Sequence, residues 1–412
     1  MKNAFYAQSG GVTSVINASA CGVIQTCRHH RDKIGHVYAG RHGVTGALTE
    51  DIYDTDQETD AAIAGLKQTP AGAFGSCRYK LREEREYQRL LDVFQAHNIG
   101  YFFYNGGGDS ADTSYKITQL ADNMNYPLQV VHIPKTVDND LPLTDNCPGF
   151  GSVAKYIAVS TLEASFDVRS GATTSTKVFI LEVMGRHAGW IAAAGGLATD
   201  YDIPVVILFP EIPFDQDKFL ARVREQVDRY GYCSVVVSEG CRGTDGCFLA
   251  DQGTQDVFGH AQLGGAAPVV AQLVKNQLGY KYHWALADYL QRSARHLASA
   301  TDVEQAYALG KSAVELALAR KRGVMPTIVR ESSQPYHWHL GEANLSDVAN
   351  QEKMMPTEFI SADGFGITQA CKDYLYPLIQ GEAYPIYTRS GLPDYVTLKN
   401  IQLPKKLPAF TI

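Results

Sequence analysis

The sequence predicts doubly wound α/β lobes, and three observations lead there. Short apolar runs recur along the chain, each ending at once in glycines, hydroxyls or charged groups, as a buried parallel strand does where it meets a ligand loop. A helical pattern follows, so that strand, loop and helix alternate at least five times. A length of 412 residues with 45% hydrophobic content suits two or three domains, or two lobes sharing one cleft.

Residues 4–7 read as the first strand, running into Gln8-Ser9-Gly10-Gly11 and a helix over 15–28. A glycine pair there suits either a tight turn or a phosphate held on backbone amides. Residues 36–39 read as a strand and 81–97 as an exposed, charged helix. Arg78, between them, has the forked donor geometry that suits phosphate, although such a residue is more often an ordinary surface arginine. A helix is expected from about 148 to 168 and a strand over 178–183 that ends in Met184-Gly185-Arg186. There follow a Gly/Ala-rich helix over 187–197, a strand over 204–209, a helix over 214–229 and a strand over 233–237 that ends in Ser238-Glu239-Gly240. Residues 245–265 read as loop, 267–277 as helix, 289–292 as strand end or loop, 302–320 as helix, 327–329 as a short strand, and 368–378 as a last helix before a proline-containing tail.

Composition excludes several classes. A net charge of −7 and a pI near 5.9 argue against nucleic-acid binding by bulk electrostatics. The eight cysteines form no CxxC pair and no common zinc spacing, so they read as reduced thiols. The start, MKNAFYAQSGG, lacks the apolar segment of a signal peptide, and no run approaches the roughly 18 apolar residues of a membrane span. A soluble, cytoplasmic protein with no membrane partner is expected.

The richest stretch is 101–140. Apolar residues 101–104 lead into Asn105-Gly106-Gly107-Gly108-Asp109-Ser110 and a helix over 111–121. Residues 128–133 then lead into Pro134-Lys135-Thr136-Val137-Asp138-Asn139-Asp140. In open α/β sheets ligands sit at such carboxyl ends. If 134–140 runs extended, Asp138 and Asp140 point to one side. Phosphate-binding backbone beside paired carboxylates points to phosphoryl transfer with a metal ion.

Six motifs in order, SGG (9–11), GGGDS (106–110), PKTVDND (134–140), MGR (184–186), SEG (238–240) and YLQR (289–292), resemble the phosphofructokinase family from the first strand to about residue 292. The resemblance implies two similar α/β lobes with the active site in the cleft between them. It divides the chain into 1–143 with about 297–345 as the phosphoryl-donor lobe, and 144–296 with about 346–412 as the sugar-phosphate lobe. It implies magnesium-dependent transfer to the 1-hydroxyl of fructose 6-phosphate. Asp138 is then the general base, with Thr136, Val137 and Asp140 beside the transferred group. Gly10, Gly11, Gly107, Gly108, Ser110 and Lys135 hold the donor, and Arg78 contacts the moving phosphoryl. Met184, Gly185 and Arg186 cradle the sugar phosphate and Glu239 takes a sugar hydroxyl. Tyr289, Leu290, Gln291 and Arg292 form the 6-phosphate segment, where Tyr289 replaces the family's frequent histidine. Lys177 stands where many members place an arginine lent by a neighbouring subunit, which implies a homodimer or a larger homo-oligomer.

Members that use ATP carry GGDGS and usually a glycine before Thr-x-Asp-Asn-Asp. Asp109 and Lys135 stand at those two positions and resemble the branch that uses pyrophosphate. A carboxylate about 4 Å from where ATP's α-phosphate would lie costs roughly 4 kcal/mol at an effective dielectric near 20, about a thousandfold in affinity. Lys135 can neutralise a pyrophosphate leaving group. Both branches usually have aspartate, the expected Mg2+ ligand, where this chain has Gly108. Asp109, Asp138 or Asp140 would then hold the metal, or substrate oxygens and water would. The rival readings are an ATP-dependent enzyme, a non-catalytic sugar-phosphate sensor, and a lipid or NAD kinase.

Overall fold

The computed structural model describes residues 1–249 and 265–412. These gather into two compact units, one of residues 1–149, 295–353 and 381–412, the other of 150–294 and 354–380. Of the stretch expected as loop over 245–265, residues 250–264 lie outside the described residues.

The chain opens with β1 (Lys2–Gln8), α1 (Ile16–His29), β2 (Ile34–Gly40), α2 (Val44–Leu48), β3 (Ile52–Asp54), α3 (Asp60–Gly65), α4 (Glu84–Ala96), β4 (Ile99–Gly106), α5 (Gly108–Asn123) and β5 (Gln129–Pro134). It continues through α6 (Phe150–Gly171), β6 (Val178–Val183), α7 (Trp190–Gly195), β7 (Val205–Leu208), α8 (Gln216–Tyr230), β8 (Cys233–Ser238), α9 (Ala266–Leu278), β9 (Tyr282–Leu286) and α10 (Asp288–Ser293). It closes with α11 (Ala300–Leu318), β10 (Val324–Ser333), β11 (Tyr336–Asn344), α12 (Leu345–Val348) and α13 (Gln369–Leu378).

The first unit holds a sheet ordered β11-β10-β5-β4-β1-β2-β3. Its centre is parallel, and only the two edge strands, β3 and β11, run antiparallel to their neighbours. Successive side chains of a strand face opposite layers. Ala4 and Tyr6 accordingly join the layer of α1 and α11, while Phe5 and Ala7 join that of α2 and α4. α1 and α11 meet at Gly22 and Gly310, where a Cβ on Gly310 would strike the backbone of Ser19. The second unit holds a parallel sheet ordered β7-β8-β6-β9. Val178, Ile180, Val235 and Val237 from its strands pack on Phe219 and Val223 of α8 and on Val270 and Val274 of α9.

Several expectations change. α4 is amphipathic rather than exposed: Leu90, Leu91, Val93 and Phe94 are wholly buried. Residues 327–329 belong to a long hairpin, β10–β11, which Pro326 disguises because proline is rare in a paired strand. β9 was not foreseen, since this edge strand leaves Trp284 and Leu286 exposed and so shows no buried alternation. The 289–292 segment is helical in α10. Residues 381–412, expected in the second lobe, belong to the first unit. They run along β3, where Asp54 donates to Ile401 O and Leu403 donates to Ile52 O, each at about the same strand-like distance of 2.9 and 2.8 Å.

Candidate active site

The topology of the first sheet prepares a ligand site. From β1 the chain proceeds to β2 and β3 on one side, then places β4 and β5 on the other. Such a reversal leaves room at the carboxyl ends of the two central strands. The loops there are those of Gly10-Gly11 and Gly106–Ser110.

They are bound together from below. Ser9 donates to Asn105 O at 2.9 Å. The buried Tyr104 hydroxyl hydrogen bonds to the side chains of Ser9 and Ser110, and burial pushes its ionisation far up, so it stays a neutral donor. Gly10 adopts φ +75°, and its amide is already used, donating to Cys77 O at 2.9 Å. The Gly10 amide is therefore not available to a ligand at this loop. Arg78, the residue after Cys77, is exposed. The bond from Gly10 holds the backbone next to Arg78 against the Gly10-Gly11 loop.

α5 begins at Gly108, three positions before the expected start, with Gly107 in extended conformation ahead of it. Gly108, Asp109 and Ser110 thus form its first turn, where amides are unsatisfied and negative charge is favoured. Space around Gly108 is open, with nothing within 4 Å of where a Cβ would stand. The Asp109 carboxylate is half-exposed and pairs with Lys80 at 3.1 Å. Lys80 escaped the sequence reading because it lies 29 positions away. Lys135 is 4% exposed. Its ammonium donates to Gly11 O at 2.6 Å and lies 3.4 Å from where a Gly10 side chain would begin. It therefore joins the two loops the sequence placed far apart.

The segment after Lys135 turns instead of running extended. Asp138 donates its amide to Thr136 Oγ1 at 3.1 Å, and Asn139 sits in the left-handed region at φ +55°. The inference that alternation puts Asp138 and Asp140 on one side therefore fails. Asp140 Oδ1 is shielded from solvent and has no hydrogen-bond partner. Burial pushes its carboxyl above the usual range, Glu352 adds to this, and Thr136 and Lys353 oppose it. An unsatisfied buried carboxylate oxygen is what a cation would complete. Of the three candidate ligands Asp140 fits a metal on this ground, whereas Asp109 already has Lys80.

In the second unit β6, β8 and β9 end side by side. Gly185, at φ +133°, accepts from Ser238 Oγ at 2.5 Å and donates to Glu239 Oε1 at 3.4 Å. Met184 donates to Gln291 Oε1 at 3.3 Å. The MGR, SEG and YLQR motifs therefore form one cluster. A cavity of about 90 Å³ opens there, lined by Glu182, Met184, Glu239, Asp288 and Gln291 among others. Burial raises the Glu239 carboxyl; the Gly185 amide and Arg186 lower it, and Glu182 and Asp288 raise it further. The Arg292 guanidinium lies 3.8 Å from the Tyr289 ring centre, while Tyr289 and Leu290 are exposed. Glu182 and Asp288 were missed. Glu182 is a lone carboxylate in the apolar run of β6, and that was the available signal. Its oxygens accept from the amides of Gly265 and Ala267 at the start of α9. Lys177 stands at the opposite end of β6 from Arg186, with the strand, about 20 Å long at 3.3 Å per residue, between them. It is not part of the cluster formed by the MGR, SEG and YLQR motifs. A larger opening beside α1, lined by Arg28, Arg31, Asp56 and Asp60, holds none of the predicted residues, and its charges pair among themselves.

The family model described as phosphofructokinase matches residues 3–317. The chain belongs to the phosphofructokinase family. Among its curated relatives is the pyrophosphate–fructose 6-phosphate 1-phosphotransferase of Methylococcus capsulatus, 68% identical over 99% of this chain and 98% of that one. The enzyme of the same description from Halomonas elongata is 63% identical, over 100% and 99%. The crystal structure of a pyrophosphate-dependent phosphofructokinase from Nitrosospira multiformis superposes with a TM-score of 0.94, at 66% identity and full coverage of both chains. Phosphofructokinases generally need a divalent metal. Among the described residues no helix is long and apolar enough to cross a membrane.

Proposed function

We propose that this phosphofructokinase moves a phosphoryl group reversibly from pyrophosphate to the 1-hydroxyl of fructose 6-phosphate, giving fructose 1,6-bisphosphate and phosphate. The observation that carries the choice of donor is Lys135, buried beneath Gly10 with its ammonium 2.6 Å from Gly11 O. Phosphoryl transfer relies mainly on positioning and charge stabilisation. Asp138 takes the proton of the attacking hydroxyl, its amide held to Thr136 Oγ1. Lys135 stabilises the departing phosphate. Gly11, the first turn of α5 and Arg78 hold the donor. In the second unit, Met184, Gly185 and Arg186 bind the sugar phosphate with Arg292, and Glu239 accepts a sugar hydroxyl. Asp140 is the residue we assign to magnesium. When bound, the ion offsets negative charge on the pyrophosphate oxygens.

Two further readings complete the proposal. The enzyme works in the cytoplasm as a homodimer or larger homo-oligomer, in which Lys177 serves a neighbouring copy; its place at the far end of β6 supports this. Residual use of ATP is the second donor reading, favoured by the Lys80 partner that partly neutralises Asp109. Initial rates with fructose 6-phosphate and magnesium, with pyrophosphate and ATP in parallel, test the assignment. Turnover with pyrophosphate alone is the expected result. Turnover with ATP alone would overturn the donor, and none with either would favour a sugar-phosphate sensor.

A further inference from the structure

Lys353 lies beyond the residues that the family model matches and in no motif of the sequence. It nevertheless reaches the segment that carries Asp138. Its amide donates to Asp140 O at 2.6 Å. Its ammonium donates to Asn139 Oδ1 at 3.3 Å, Thr144 O at 3.0 Å and Asp145 O at 2.8 Å. That is as many acceptors as an ammonium has donors. Asn139 Oδ1 also accepts from Cys147 at 3.0 Å, so one side chain and one cation fasten both limbs of the 139–147 loop.

The loop needs such a fastening. Asn139 and Leu143 both occupy the left-handed region, at φ +55° and +63°, a conformation that non-glycine residues keep only where their surroundings hold it. Lys353 is itself held from behind. Its neighbours include Asp145, Asp140, Cys147 and Arg330, and Arg330 pairs with Asp145 at 2.9 Å.

We infer that Lys353 is a positioning residue for phosphoryl transfer, which locks the 138–147 loop from a segment the family motifs do not include. The inference rests on Asp138 as the base. Lys353 touches no reacting atom; it acts through Asn139 and the backbone of the loop. Misplacing a catalytic group by about 1 Å costs up to a hundredfold in rate. Lys353→Met is therefore expected to lower kcat by about tenfold to a hundredfold, with KM for fructose 6-phosphate within about threefold of the parent. Lys353→Arg, which keeps a cation and several donors, restores most of kcat.

The test combines kinetics with hydrogen exchange read by mass spectrometry. In the parent, peptides covering 138–147 and the Lys353 amide are expected to be protected. In Lys353→Met, faster exchange is expected in 138–147 while peptides covering 105–110 stay as in the parent. Unchanged kcat and unchanged loop protection in a folded Lys353→Met variant would overturn the inference. If that variant does not fold, an unprotected Lys353 amide in the parent, or a folded Lys353→Arg with kcat as low as background, would do so. An inactive parent would refute the proposed reaction, while the exchange measurements would still decide whether Lys353 locks the loop.

Discussion

Replacing Asp109 by glycine isolates the electrostatic part of donor choice. On sequence alone a like charge at about 4 Å costs roughly 4 kcal/mol. The structure reduces this. The Asp109 side chain is 51% exposed, so water screens it, and doubling the effective dielectric halves the cost to about 2 kcal/mol. The Lys80 ammonium at 3.1 Å offsets a further part, leaving about 1–2 kcal/mol, or roughly tenfold in affinity. Asp109→Gly is therefore expected to lower the inhibition constant of ATP against pyrophosphate by about tenfold, with little change in KM for pyrophosphate. Lys80→Met, which uncovers the carboxylate, should raise that constant by up to about fivefold. Steady-state competition at fixed magnesium and two salt concentrations provides the measurement, since a screened effect shrinks with salt. An inhibition constant within twofold of the parent in Asp109→Gly, or a lowered one in Lys80→Met, would refute the charge argument.

Three other outcomes are expected. Asp138→Asn should lose about 10² to 10⁴ in kcat with an unchanged thermal midpoint; a loss under tenfold would remove Asp138 as the base. Gly108→Asp meets open space, so its stability should match the parent while the magnesium concentration for half-maximal rate falls; a rise in that concentration would contradict the placing of the metal. Glu50 is buried and receives the amides of Lys406 and Leu407 at 2.6 and 3.0 Å and His97 Nε2 at 2.6 Å. Burial alone would raise its carboxyl, but these bonds outweigh burial and hold it below the usual value. A carboxyl lowered on folding stabilises above its unfolded value and loses that contribution as pH falls through the folded one. The C-terminal attachment should thus persist at neutral pH and release under acid. Glu50→Gln, which strands part of a buried charged cluster, should cost about 3 kcal/mol, read as a lower urea midpoint and early trypsin cleavage at Lys405 or Lys406; an unchanged midpoint would sink this account.

What the sequence made legible was whatever a short run encodes. β1, β4, β5, β6 and β8 announce themselves because buried parallel strands are apolar throughout, and their loops because only glycine and a few polar types suit a strand end that meets a ligand. The missing pieces depend on distant partners. Lys80 on Asp109, Lys353 on the 138–147 loop and Tyr104 on Ser9 are contacts across long stretches of chain, which no local pattern reveals. The Asp138–Asp140 geometry failed because Thr136 captured an amide and Asn139 took the left-handed conformation, a local competition that alternation ignores. β9 and the β10–β11 hairpin were hidden by exposure and by proline. The candidate site residues were thus readable as types and positions, while the contacts that hold them were not.

The first unit is assembled from three separate stretches of chain, with residues 295–353 returning after the second unit's strands and 381–412 after the whole of that unit. Synthesis proceeds from the N-terminus, and domains tend to fold as their residues emerge. β1, β2, β4 and β5 therefore leave the ribosome long before β10, which covers the free edge of β5, and before residues 401–403 reach β3. The β5 edge stays unpaired through the synthesis of about 190 further residues and the β3 edge through about 350, and unpaired edges invite association with other chains. The second unit, whose strands all lie within 150–294, has no such wait. Chain order alone therefore leaves the nascent first unit with open sheet edges for longer than the second.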